Sequence, residues 1–123
     1  MTDTISIQIP ALPEYVQVVR LIASGLATRL GFTLDDIEDL KIAVDELCAY
    51  LTGTQGRDGT LDIRFEVGND SIEIKGSGRF SAGTKVRTEL TGLSKKILET
   101  VADSASLDQA DGSPTFNLIK SRS

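Results

Sequence analysis

Leu61, Ile63, Phe65 and Val67 alternate with polar residues, and Ile72 and Ile74 resume the alternation after Gly68-Asn69-Asp70. No other stretch constrains the fold as much. A period of two places one apolar row on one side of a strand, and the turn residues between the runs join them as an antiparallel hairpin. A hairpin with one apolar face is marginal in water until something covers that face. The rest of the chain must therefore supply more strands and amphipathic helices.

Ile5, Ile7 and Ile9 alternate in the same way and predict a first strand ending at Pro10. Pro13 suits a helix's first turn, where its missing N–H has no partner to lose. Tyr15, Val18, Val19, Ile22 and Leu26 follow at spacings of three and four and predict the buried face of a helix closing at Gly31. Thr33 and Asp36 form a short capping box for a second helix with the stripe Ile37, Leu40, Val44, Leu47, Cys48 and Leu51, ended by Gly53. Gly56 to Gly59 reads as a turn. After the hairpin comes a polar stretch from Gly76 to about Arg87. Leu90, Leu93, Ile97, Leu98 and Val101 then predict a third helix. Segments around Ala105–Leu107 and Thr115–Ile119 read as strands joined at Asp111-Gly112. The order β-α-α-β-β-α-β-β predicts a two-layer α/β sandwich in one domain, residues 1–123, with a mixed, mostly antiparallel sheet and helices on one face.

Charge and composition exclude several function classes. Thirteen basic and 18 acidic residues leave a net charge of −5, which repels phosphate backbones. Lys85, Arg87, Lys95 and Lys96 form the one loose basic cluster, with little aromatic content for base stacking. Direct nucleic-acid binding is not expected. There is no histidine, the commonest catalytic base and metal ligand. The single Cys48 has no internal disulfide partner and suits a reducing cytoplasm; it reads as a small core residue. No basic leader or membrane-length apolar run is present, so a cytoplasmic location is expected.

Four local constellations carry weak chemistry. Asp35-Asp36-Ile37-Glu38-Asp39 matches a magnesium–diphosphate pattern of prenyl-transferring enzymes, but acids in a helix's first turn also complement its dipole. The larger helical bundle of those enzymes cannot be built from this chain, and no metal site is expected. Gly76-Ser77-Gly78 could let a backbone approach a ligand, although a plain loop explains it better. Gly92-Leu93-Ser94-Lys95-Lys96 could offer N–H groups and cations to an anion, although lysines on a solvated helix face are commoner. Lys41 and Asp45, four apart, predict a surface ion pair; Glu46 has no such simple partner.

Together, Ile9-Pro10-Ala11, Pro13-Glu14-Tyr15-Val16, Arg20-Leu21, Gly31-Phe32-Thr33 and above all the string Ile37 to Cys48 resemble the anti-sigma-factor serine kinases of Gram-positive stress response and sporulation. These belong to the histidine-kinase-like ATPase superfamily, the Bergerat or GHKL fold. The resemblance is close over residues 5–52 and looser beyond. It implies a homodimer that sequesters an alternative sigma factor and is countered by an anti-anti-sigma factor with a STAS domain. Typical members use ATP and magnesium to phosphorylate that antagonist on serine.

Compared with the family's site, this sequence departs at most positions. Glu46 matches the general base of the helix motif Glu-x-x-x-Asn, but Tyr50 stands where the magnesium-binding asparagine belongs, and a phenol suits that hard cation poorly. Gly76 and Gly78 match the Asp-x-Gly that reads adenine, without its carboxylate. Gly92 and Ser94 match a glycine-rich phosphate loop with one glycine left. Phosphoryl transfer rests on positioning and on metal charge, so the expected function is a pseudokinase-like anti-sigma factor with no cofactor. The departures fit degenerate actinobacterial members. An active serine kinase, the only case in which ATP and magnesium would be needed, and a Bergerat-fold scaffold for another protein are the alternatives. Arg20 matches a partner-contacting arginine, with Glu14 and Gln17 as its neighbours at helical spacing.

Overall fold

A computed structural model describes residues 2–110 and 112–123. Strand β1 (Asp3–Pro10) leads through a 3-10 turn (Pro13–Tyr15) into α1 (Val16–Arg29) and then α2 (Leu34–Thr52). The hairpin β2 (Gly59–Val67) and β3 (Ser71–Phe80) precedes α3 (Gly92–Val101), and β4 (Ser104–Ala110) and β5 (Ser113–Ser121) close the chain. The sheet order is β1-β2-β3-β5-β4. All four pairings are antiparallel, so no parallel pair makes the sheet mixed. Of the expected turn at Asp111-Gly112, Asp111 lies outside the described residues, and Gly112 has φ of +80°.

The period-two rows read from the sequence become the core floor. Leu61, Ile63, Phe65, Ile72, Ile74 and Leu118 are buried beneath the helices, while Arg64 and Lys75 on the opposite face are exposed. In α2 the stripe Leu40, Val44, Leu47, Cys48 and Leu51 is fully buried and Ile37 partly so. Thr33 caps that helix by accepting from the Asp36 N–H at 3.1 Å, and Gly53 ends it at φ +67°, a left-handed conformation that favours glycine.

Two expected apolar faces hold in part: Val19, Leu98 and Val101 are buried and Ile22, Leu26, Leu90 and Ile97 are packed against the core, but other expected members are not. In α1 the buried residues are Val16, Val19, Ala23 and Ala27, whereas Tyr15 and Val18 are 40% and 38% exposed. The buried face of α1 is centred on the small alanines, which suit a close helix approach, with Ile22 and Leu26 flanking it partly buried. In α3 Leu98 and Val101 are buried but Leu93 is 71% exposed, because the first turn directs Ser94 inward instead.

The stretch from Gly76, expected to leave the hairpin as a loop, is a correction. Gly76 and Gly78 do not begin a loop; they continue β3, opposite Ile63 and Leu61 of β2, and Gly76 also pairs with Phe116 of β5. A Cβ on Gly76 would overlap the Phe116 ring, and one on Gly78 would overlap the Phe80 ring. The glycines are there so that two aromatic rings can lie on the sheet.

Candidate functional site

The sequence-derived positions converge where the C-terminal half of α2 faces the first turn of α3. Glu46 and Tyr50 are one helical turn apart and so share a face of α2. Opposite them stand Thr91, the N-cap of α3, and Ser94, whose N–H donates to Thr91 Oγ1 at 3.1 Å.

A directed hydrogen-bond chain joins these groups. The Thr91 N–H donates to Tyr50 Oη at 3.0 Å. The Tyr50 hydroxyl donates to Ser94 Oγ at 2.7 Å, and the Ser94 hydroxyl donates to Glu46 Oε2 at 2.6 Å. Thr91 Oγ1 lies a further 3.1 Å from Ser94 Oγ. Glu46, for which the sequence offered no partner, thus holds the chain's own buried Ser94. Burial pushes the Tyr50 phenol up, but its hydrogen bonds with Ser94 and Thr91 outweigh it and leave the group below its ordinary value.

The α3 N-terminus, weighed above as an anion site, has its cap N–H engaged by a phenol. What remains beside it is a shallow hollow of about 260 Å³ lined by Glu46, Ala49, Tyr50, Thr91 and Ser94. Gly92 is exposed at the start of α3 and lines none of it. Gly76 and Gly78 sit on the sheet beneath Phe116 and Phe80 and are not brought to Glu46. A larger cavity of about 620 Å³ lies on the sheet's open face between Gln8, Arg64, Lys75 and Asn117, away from this chemistry.

Arg20, on α1, lies with Nε 3.1 Å from Asp45 Oδ1 of α2. This replaces the expected Lys41–Asp45 pair: Lys41 Nζ instead bonds Glu38 at 3.2 Å. Burial raises the Asp45 pKa, with Arg20 and Lys41 opposing the rise. Glu14 and Gln17 are exposed, and neither bonds Arg20 among the described residues. Leu21 and Ile42, 61% and 44% exposed, add apolar surface to these two helices.

The acidic run at the start of α2 is occupied structurally. Asp36 accepts from the Ser123 hydroxyl at 2.6 Å and its N–H at 3.1 Å, and Lys120 Nζ lies 3.6 Å from Asp39. Among the described residues no cluster of acids, Cys or His could hold a metal ion. Cys48 is fully buried, and burial pushes its thiol up to about 12.

No family model matches the chain. A curated relative from Bacillus licheniformis, "Serine-protein kinase RsbW", is 34% identical over 137 residues, covering 96% of this chain and 85% of the relative. The chain belongs to the RsbW family. RsbW proteins from Bacillus pumilus and Bacillus velezensis are 47% and 49% identical, each over 58% of this chain. Those matches span about half of each relative, 48% and 47%. A crystal structure of the RsbU and RsbW domains of Rv1364c from Mycobacterium tuberculosis superimposes with a TM-score of 0.65 over 98% of this chain and 32% of that one, at 17% identity. The RsbW-type fold is therefore shared across the chain. Sequence reasoning missed Thr91 as part of the site, although Thr91-x-x-Ser94 before an apolar helix was a readable N-cap signal; it also missed the Phe116 ring over Gly76, away from the site, which nothing local marks.

Proposed function

We propose that this RsbW-family chain is an anti-sigma factor. It sequesters an alternative sigma factor through the α1–α2 surface around Arg20 and is displaced by a STAS-domain anti-anti-sigma factor. Its ATP site is degenerate, and it works as a homodimer regulated by partner exchange. The observation that carries the loss of nucleotide function is the Tyr50 phenol bonded across the α3 N-terminus. A phosphate needs free N–H donors there, and magnesium needs a compact oxygen ligand where the ring now stands. An adenine-reading carboxylate at Gly76 would also collide with Phe116. The residues present do not fit ATP and magnesium, and no chemical step is assigned to them.

The active-kinase reading draws on one observation, that Glu46 is retained and partly exposed beside a hollow, together with the kinase names of its relatives. Calorimetric titration with ATP and magnesium separates the two. The expected result is no binding heat at millimolar nucleotide and an unchanged melting temperature; micromolar affinity would put the kinase first.

A further inference from the structure

We propose that Tyr50 and Arg57 latch the strap of residues 81–91 shut from within, so that the closed strap is the resting form of the chain and waits on no nucleotide. The inference rests on the reading of this cleft as a degenerate nucleotide site and names how it is regulated. At one end, the Thr91 N–H donates to Tyr50 Oη at 3.0 Å, joining residues 41 apart in sequence. At the middle, Arg57 Nη1 donates to the Lys85 carbonyl at 3.2 Å. The same guanidinium is fixed on α2, donating from Nε to Leu51 O at 2.8 Å and from Nη2 to Tyr50 O at 3.3 Å. Its Cζ lies 5.8 Å from the ring centroid of Phe80, the last residue of β3. At the other end, Ser81 donates its N–H to Asp58 O at 3.1 Å and its hydroxyl to Asp58 Oδ2 at 2.6 Å.

The arrangement has the form of a latch because both anchors are tied to one helix end, Tyr50 as part of it and Arg57 from the loop behind it. Arg57 uses three nitrogens, two of them on carbonyls that the last turn of α2 leaves without an intrahelical donor, and spends the third on the strap. Tyr50 lies on that same turn and holds the start of α3. Residues 81–85 are otherwise exposed and contribute no residue to the core, so little else holds them.

Amide hydrogen exchange of the full chain, resolved by NMR, tests this. Without nucleotide, the Thr91 and Thr84 amides should be protected in the wild type. Tyr50→Phe keeps the ring and removes the acceptor, and should speed Thr91 exchange by about tenfold. Arg57→Lys keeps the charge but cannot bridge three carbonyls, and should speed Thr84 exchange while Leu47 and Ile63 stay unchanged. Unprotected strap amides in the wild type, or protection unaltered in both variants, would overturn the latch. The same spectra with ATP and magnesium judge the underlying reading separately: added protection in the wild type would refute the degenerate site, while the latch stands or falls on the nucleotide-free data.

Discussion

At the scale of single residues, the site is decided by what stands beside each glycine and carboxylate. Gly76 looks like a position stripped of a carboxylate, yet Phe116 now fills the space above it. Gly76→Asp should therefore not restore adenine recognition. It should overpack the sheet and bury an unpaired charge, costing about 3 kcal/mol or more, read from the urea midpoint. Tyr50→Asn combined with it should gain little nucleotide affinity for the same reason. Cys48 is held at a pKa of about 12 by burial first and by the Asp45 charge second. Because the thiolate is the reactive form, Cys48 should resist iodoacetamide in the folded protein and react only with denaturant present.

Among the elements, the start of α2 carries the clearest pH signature. The hydroxyl and N–H of Ser123 hold Asp36 below the usual carboxylate range; burial opposes them, and Thr33 and Lys120 add to the lowering. A carboxylate depressed in the folded state stabilises fully above its unfolded pKa and loses that contribution as pH falls through the folded one. Asp36→Asn should thus cost about 2 kcal/mol at neutral pH, since bonds to a charged group are the strong ones. That difference should close in urea titrations taken below about pH 4. Thr33→Ala removes the cap of the same helix and should cost about 1 kcal/mol at neutral pH.

Over the whole molecule, the helices cover one face of a five-stranded sheet, and the α1–α2 ridge, the strand edges and the other sheet face remain uncovered. Arg20 is half-buried against Asp45, so a partner carboxylate would have to compete with an internal one. If the chain acts as the proposed anti-sigma factor, Arg20→Ala should weaken binding of both the sigma factor and its antagonist by about 1–3 kcal/mol in a titration; unchanged binding would favour a scaffold for some other protein.

The element order, the sheet's core rows and the α2 stripe were all legible in sequence, because each rests on local periodicity and local punctuation: alternating isoleucines, a Thr33 cap, a Gly53 stop. The resemblance around Ile37 to Cys48 likewise sits in contiguous residues. What the sequence could not supply were pairings between distant segments with no periodic signal. The rotation of α1 onto its alanines, the extension of β3 through Gly78 and the exchange of Lys41 for Arg20 as the partner of Asp45 are set by packing across elements. So is the meeting of Tyr50 with Thr91 and Ser94. The sequence by itself determined the periodic rows and the local caps, and through the resemblance it set the expectation that Tyr50 stands at a metal-ligand position and Gly76 at that of a carboxylate. Only the tertiary structure decided that the phenol bonds the α3 N-terminus and that Phe116 covers Gly76, because close packing lets one group occupy a space and excludes every other.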